Sequence, residues 1–256
     1  MARSGLFIAG TDTGVGKTLI TGGLCAAIRE RGRDAGVWKP VQSGALAGDP
    51  ASDSATLRRL AGVDDAEAVI CPYSFEAAVT PELAAHLAGV PLEFGTVLAG
   101  GEAVCARHDI VLAEGVGGWY APLAEGREMA DLATALGWPV LIVARAGLGT
   151  INHTLLTYEA INALGLPVLG VVLNGHVGDL PDDSIRDLPD VPRSPRYADP
   201  QLTNAMLIHR ATKVDILGIV PQLPDTATAT VRAAVARHVD VGAILAKLTS
   251  TATSGG

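Results

Sequence analysis

The sequence predicts an α/β fold: a doubly wound, mainly parallel sheet. Three observations predict it. Short β-like runs alternate with helix-like segments along most of the chain. The runs are continuously apolar, as strands covered on both faces have to be. The core must also be built from Ala, Val, Leu and Ile, because 48% of the 256 residues are hydrophobic and only 4% are aromatic. Such a composition suits a sheet with helices on both sides.

Residues 6–10 read as a buried strand and residues 16–31 as the helix after it. Residues 35–39 form a second strand. A helical stretch near 93–107 precedes a third strand at 109–114 (DIVLAE). Residues 138–144 and 168–174 (VLGVVLN) are two more, joined by a helix over 151–164. The last strand, 216–220, leads into a helix over 230–239. Strands separated by helices pair in parallel through right-handed crossovers, so one P-loop-type α/β domain is expected over residues 1–248. Residues 176–200 break the pattern. They are rich in Asp and Pro and read as a solvated surface excursion rather than a lid. Residues 249–256 read as a disordered tail.

The formal net charge of −8 argues against a general binder of nucleic acid or of anionic membranes, but leaves room for a local cationic site. Cys25, Cys71 and Cys105 match neither a zinc spacing nor a disulfide framework, and read as free thiols of a reducing cytosol. Residues 1–5 do not open a secretion signal, and apolar stretches such as 138–144 are too short to span a bilayer. A cytoplasmic protein is expected.

The first strand runs into GTDTGVGKT, residues 10–18, and a helix follows. Strand, glycine-rich turn and helix in that order make a P-loop. Thr11 stands where the usual pattern has its first glycine, with Gly10 one residue earlier. The mechanism survives this departure. Gly14 and Gly16 permit close backbone approach, and successive N–H groups at the helix N-terminus point at phosphate oxygens. Lys17 reaches the β- and γ-phosphates and the Thr18 hydroxyl ligates Mg²⁺.

Such a site needs a carboxylate from a neighbouring strand, and Glu114 stands at the end of DIVLAE, followed by Gly115-Val116-Gly117-Gly118. In open α/β sheets ligands sit outside the carboxyl ends of strands. Lys39 ends the second strand and faces the same crevice, where it can stabilise charge on a transferring phosphoryl group or lie on the surface. Asp53 starts a helix; alone, it reads as a cap or a solvated charge. At Gly149-Thr150-Ile151-Asn152, Thr150 or Asn152 can cap the next helix, leaving N–H groups as a socket for a carboxylate. His153 reads as structural.

These pieces, in order, resemble the dethiobiotin synthetase family: GTDTGVGKT (10–18), KPVQSG (39–44), Asp53, PYSF (72–75), EGVGGWYAPL (114–123), LGTINHTLLT (148–157), Asn174 and GIVPQL (218–223). The resemblance spans most of the chain. It implies an ATP-dependent cyclo-ligase with a P-loop fold, working as a cytoplasmic homodimer with substrate sites at the interface. It implies ATP, CO₂ and 7,8-diaminononanoate as substrates, a carbamate and a carbamic–phosphoric anhydride as intermediates, and dethiobiotin, ADP and phosphate as products. It implies Gly14, Val15, Gly16, Lys17, Thr18 and Leu19 as the phosphate-binding segment, and Gly115 to Gly117 beside it. Thr18, Asp53 and Glu114 correspond to magnesium ligands, and Lys17 and Lys39 to the catalytic cations. Thr13, Lys39 and Ser43 correspond to contacts to the diamine or its carbamate. Gly149, Thr150, Ile151 and Asn152 match the carboxylate socket offered across the dimer. Asn174 matches the reader of the adenine edge, with Pro221, Gln222 and Leu223 flanking the base. Tyr197 is a candidate substrate contact.

Two related classes compete. Switch ATPases of the partitioning or septum-positioning kind carry a second P-loop lysine where this chain has Asp12. A cobyrinate diamide synthetase-like ligase is normally followed by a glutaminase domain with a nucleophilic cysteine, and no cysteine here sits in such a turn. A third reading, a non-catalytic P-loop domain, gives no reason for Lys17, Lys39, Asp53 and Glu114.

Overall fold

The computed structural model describes residues 4–178 and 200–253. In chain order the elements are β1 (Ser4–Gly10), α1 (Lys17–Arg29), β2 (Ala35–Trp38), β3 (Val41–Ser43), α2 (Asp53–Ala61), α3 (Glu67–Ile70), β4 (Tyr73–Phe75), α4 (Pro81–Ala88) and α5 (Phe94–Cys105). They continue with β5 (Ile110–Glu114), β6 (Pro122–Ala124), β7 (Arg127–Glu128), α6 (Met129–Leu136), β8 (Val140–Arg145), α7 (Thr150–Ala163) and β9 (Val168–His176). The last are α8 (Pro200–Thr212), β10 (Ile216–Pro221), α9 (Thr228–His238) and α10 (Val241–Thr253).

Six strands form one sheet in the order β10-β9-β8-β1-β5-β2, and every neighbouring pair is parallel. Parallel pairing sends all six carboxyl ends to one edge. The apolar runs feed two cores, because successive side chains of a strand point to opposite faces. Phe7, Val111, Ala113, Ile142 and Ala144 join one core, and Leu6, Ile8, Leu112, Leu141 and Val143 the other. This alternation is why the strands read as continuous apolar runs, with polar residues such as Glu114, Arg145 and Asn174 at or near their carboxyl ends.

The predicted strands and helices lie where the sequence places them, to within a few residues. The differences have physical reasons. The two-stranded pairs β3–β4 and β6–β7 lie outside the main sheet, and three residues or fewer give no periodicity to read. Helix reaches Thr253, so residues 249–253, expected as tail, continue α10. Buried Ile244 and Leu248 anchor that helix, and propagation beyond an anchor is easy. β9 extends to His176, into the start of the expected excursion. Residues 179–199, with the candidate Tyr197, and residues 254–256 lie outside the described residues. Among the described residues, no helix is long and apolar enough to cross a membrane.

Candidate active site

β1, β5 and β2 are neighbours, so the segments that leave their carboxyl ends meet. The P-loop leaves β1, Glu114 ends β5, and Lys39 directly follows β2. Gly14 and Gly16 lie in the left-handed region, at φ 73° and 92°, where a Cβ is strained. A Cβ on Gly16 would also stand 2.1 Å from Asn174 Nδ2. Gly16 is the N-cap of α1 and no side chain caps this helix, which leaves its first-turn amides to the crevice.

Four charged groups converge there. Lys39 is 2% exposed and Glu114 fully buried. Lys39 Nζ lies 2.6 Å from Glu114 Oε1 and 2.7 Å from Asp53 Oδ2. Thr18 Oγ1 donates toward Glu114 Oε1 at 2.9 Å and lies 3.2 Å from Asp53 Oδ1. Lys17 Nζ donates to the carbonyl of Gly117 at 2.7 Å and to that of Asp12 at 3.2 Å. Burial alone would lower the Lys39 pKa, but the charges of Glu114 and Asp53 outweigh it and hold the ammonium above its usual range. Burial pulls Lys17 down to about 8 against the opposing charge of Glu114, and the neighbouring Lys39 adds to the fall. Burial would raise the Asp53 pKa; Lys39 outweighs it and keeps the carboxylate ionised below the usual range.

Thr18, Asp53 and Glu114 offer hydroxyl and carboxylate oxygens, the donors a hard divalent cation takes. Glu114 Oε2 is buried with no hydrogen-bond partner among the described residues. An orphaned buried carboxylate oxygen costs free energy unless something pairs with it, so the donor set fits a cation such as Mg²⁺.

Asn174, on β9, is drawn to the P-loop from the other side: its Nδ2 donates to the Val15 carbonyl at 3.0 Å, and its Oδ1 is an acceptor. Val220 pairs with Asn174, and the Gln222 amide donates to the His176 carbonyl at 2.7 Å, so Pro221, Gln222 and Leu223 run beside the end of β9. The Gly115 amide donates to the Ile8 carbonyl at 3.0 Å, and the Val116 amide toward Met129 Sδ at 3.1 Å. Val15 is buried, Leu19 packs on the second core, and Thr13 is exposed at the loop tip. Ser43 lies on β3, four residues beyond Lys39, and is half-buried.

Two expectations are corrected. Asp53 is not a cap: Ser52 is the N-cap of α2, its hydroxyl accepting from the Ala55 amide at 3.1 Å, which frees the Asp53 carboxylate for Lys39. Neither Thr150 nor Asn152 caps α7. Gly149 is its N-cap at φ 88°, and the buried Thr150 hydroxyl lies 3.4 Å from that of Thr154 instead. The open amides of α7 remain, without a capping side chain. Cys25 and Cys71 are free and buried, and burial pushes both thiols up to about 12, far from nucleophilic.

Sequence reading missed Arg145. Its Nη2 lies 2.7 Å from Asp12 Oδ2, while Asp12 Oδ1 accepts from the Thr13 amide at 2.7 Å. The position that carries a second lysine in switch ATPases therefore holds the acid of an internal ion pair. The available signal was Arg145's place at a strand's carboxyl end.

The fold and the site define a P-loop, nucleoside-triphosphate-binding α/β protein. Comparison with known sequences narrows this. A sequence model of the AAA domain matches residues 4–230. The chain is 45% identical over 223 residues to the ATP-dependent dethiobiotin synthetase BioD of Anaeromyxobacter dehalogenans (strain 2CP-C), spanning 87% of this chain and 92% of that protein. It is 34% identical over 241 residues to the ATP-dependent dethiobiotin synthetase BioD of Bacillus subtilis (strain 168), spanning 94% and 97%. Among solved structures it is similar to the MinD cell division protein of Aquifex aeolicus, with a TM-score of 0.52, 13% identity and coverage of 98% and 97%; this likeness concerns the fold alone. The chain belongs to the ATP-dependent dethiobiotin synthetase family, and it is an ATP-dependent ligase of biotin biosynthesis.

Proposed function

We propose that the chain joins CO₂ to 7,8-diaminononanoate and closes the ring to dethiobiotin at the expense of ATP. The observation that carries the reading is the buried Lys39, held between Asp53 and Glu114 beside Lys17 and Thr18. Two anions, a carbamate and a triphosphate, have to meet, and their repulsion needs preorganised cations in a dry place.

One amine takes up CO₂ and releases a proton to give the carbamate. A carbamate oxygen attacks the γ-phosphorus and ADP leaves. The second amine attacks the carbamate carbon, phosphate leaves, and the ureido ring closes. Every step uses groups of the substrates, so no covalent enzyme intermediate is needed. Lys17 and the open amides of α1 hold the triphosphate, exchanging the carbonyls of Gly117 and Asp12 for phosphate oxygens. Lys39 stabilises charge on the group in flight. Thr13 and Ser43 contact the diamine or its carbamate. Mg²⁺, held by Thr18, Asp53 and Glu114, supplies charge neutralisation at the phosphates when bound. Asn174 Oδ1 accepts from the exocyclic amine of adenine, with Pro221, Gln222 and Leu223 along the base. The uncapped start of α7, Gly149 to Asn152, receives the terminal carboxylate of the diamine across a homodimer interface, in the cytoplasm.

The test is a mass-spectrometric assay for the cyclic urea. ADP accumulates, above a slow background, only when diamine and bicarbonate are both present. Robust ATP turnover without diamine, stimulated by another protein or by DNA, overturns the reading in favour of a switch ATPase.

A further inference from the structure

Asp53 is the most loosely held of the charged groups in the site. Its side chain is 48% exposed. It opens α2, and residues 44–51 that lead to it include two glycines in the left-handed region, Gly44 at φ 90° and Gly48 at φ 91°. Yet its two sequence neighbours are fully anchored. Ser52 and Ser54 are 1% and 0% exposed. Both hydroxyls donate to Glu67 Oε1 of α3, at 3.2 Å and 2.5 Å. The second Glu67 oxygen, Oε2, accepts from the Gly48 amide at 3.2 Å, in the loop before α2. From the other side the Ser54 amide donates to Gln42 Oε1 at 2.9 Å.

Gln42 is 2% exposed on β3, and its amide nitrogen has no partner among the described residues. Half of its hydrogen-bonding capacity is left unmet, so its burial is costly except for what its oxygen does. That oxygen fixes the first turn of the helix that carries Asp53. One carboxylate and one carboxamide therefore clamp a serine on each side of an acid that the site has to aim.

We infer that Gln42 and Glu67 are positioning residues for Asp53 as a ligand of the divalent cation. The inference rests on the proposed magnesium site. Groups that orient a metal ligand through hydrogen bonds typically change metal affinity by about 10- to 100-fold when removed. A merely structural clamp would instead lower stability and nucleotide affinity together, whatever the metal.

The test follows Mn²⁺ bound to the full chain in the presence of ADP, by electron paramagnetic resonance. ADP affinity without metal and thermal unfolding are measured beside it. Gln42→Met keeps the volume and removes the acceptor; Glu67→Ala removes the hub; Glu67→Gln keeps an oxygen for both serine hydroxyls. Mn²⁺ affinity falls about tenfold in the first two and stays near wild type in the third, while metal-free ADP affinity is unchanged. On an Asp53→Asn background, Gln42→Met has no further effect on Mn²⁺, because the two act through the same ligand. Should Glu67→Ala not fold, Gln42→Met decides. Wild-type Mn²⁺ affinity in Gln42→Met, or a parallel loss of metal-free ADP affinity, overturns the inference and leaves the metal site standing. Absence of Mn²⁺ binding in the wild-type protein overturns both.

Discussion

At the scale of single residues, Lys39 shows how burial changes what a side chain is for. Taken from sequence it could equally lie on the surface; in the fold it is 2% exposed and touches two carboxylates. Removing one member of a buried ion pair leaves the others uncompensated, and Glu114 is fully buried. Lys39→Ala therefore loses thermal stability in the ligand-free protein, by an amount that falls when Mg²⁺ and nucleotide are added. Turnover drops by at least tenfold and up to about 10²–10³, the usual cost of one preorganised electrostatic partner. Nucleotide affinity stays largely intact, because Lys17 and the α1 amides hold the phosphates. Single-turnover ADP formation and calorimetric nucleotide titration separate the two effects, and unchanged turnover would remove Lys39 from the mechanism.

At the scale of elements, α1 explains why the P-loop is held so firmly. This helix carries Gly22 and Gly23 in its interior, which on propensity alone costs about 1 kcal/mol each relative to alanine. The glycines let other helices approach. A Cβ on Gly22 would stand 2.5 Å from Leu60 Cβ of α2, and one on Gly23 2.6 Å from Val235 Cγ2 of α9. Val235 is β-branched and stiff, so it cannot swing aside. Gly23→Ala is expected to destabilise the protein by about 1–3 kcal/mol through overpacking, despite its better helix propensity. Adding Val235→Ala recovers part of the loss. Urea unfolding of the two variants checks the sign; a Gly23→Ala protein more stable than wild type would show that α9 yields. The same close contact of α2 with α1 brings Asp53 to Thr18, an arrangement invisible in local sequence.

At the scale of the whole molecule, the two edges of the sheet do different work. The carboxyl edge holds the site. At the amino edge, just before β2 and β5, His108 lies between two acids, with Nδ1 2.9 Å from Asp34 and Nε2 2.7 Å from Asp65, and Arg107 pairs with Asp65. Burial alone would raise both carboxyls; the hydrogen bond and charge of His108, joined by the Asp109 amide and Arg29 at Asp34 and by Arg107 at Asp65, together outweigh it and hold them below the ordinary 3.8. Their stabilisation is thus present above the unfolded carboxylate pKa and is lost as pH falls through the lower folded value. His108→Ala is expected to cost roughly 1 kcal/mol at pH 7, because Asp34 is well exposed, and progressively less below about pH 4. Urea midpoints at the two pH values check this; an equal loss at both would exclude the ion pairs as its source. The sequence by itself determined the strand–helix alternation, the P-loop, and the carboxyl ends at which Lys39 and Glu114 stand, because each is written in a local run of residues. Only the tertiary structure decided that Asp53 meets Thr18 and Lys39, that Arg145 pairs with Asp12, and that Gly149 rather than Thr150 caps α7. Those outcomes depend on which strands become neighbours and how closely helices pack, and such long-range contacts leave no period or spacing in the chain.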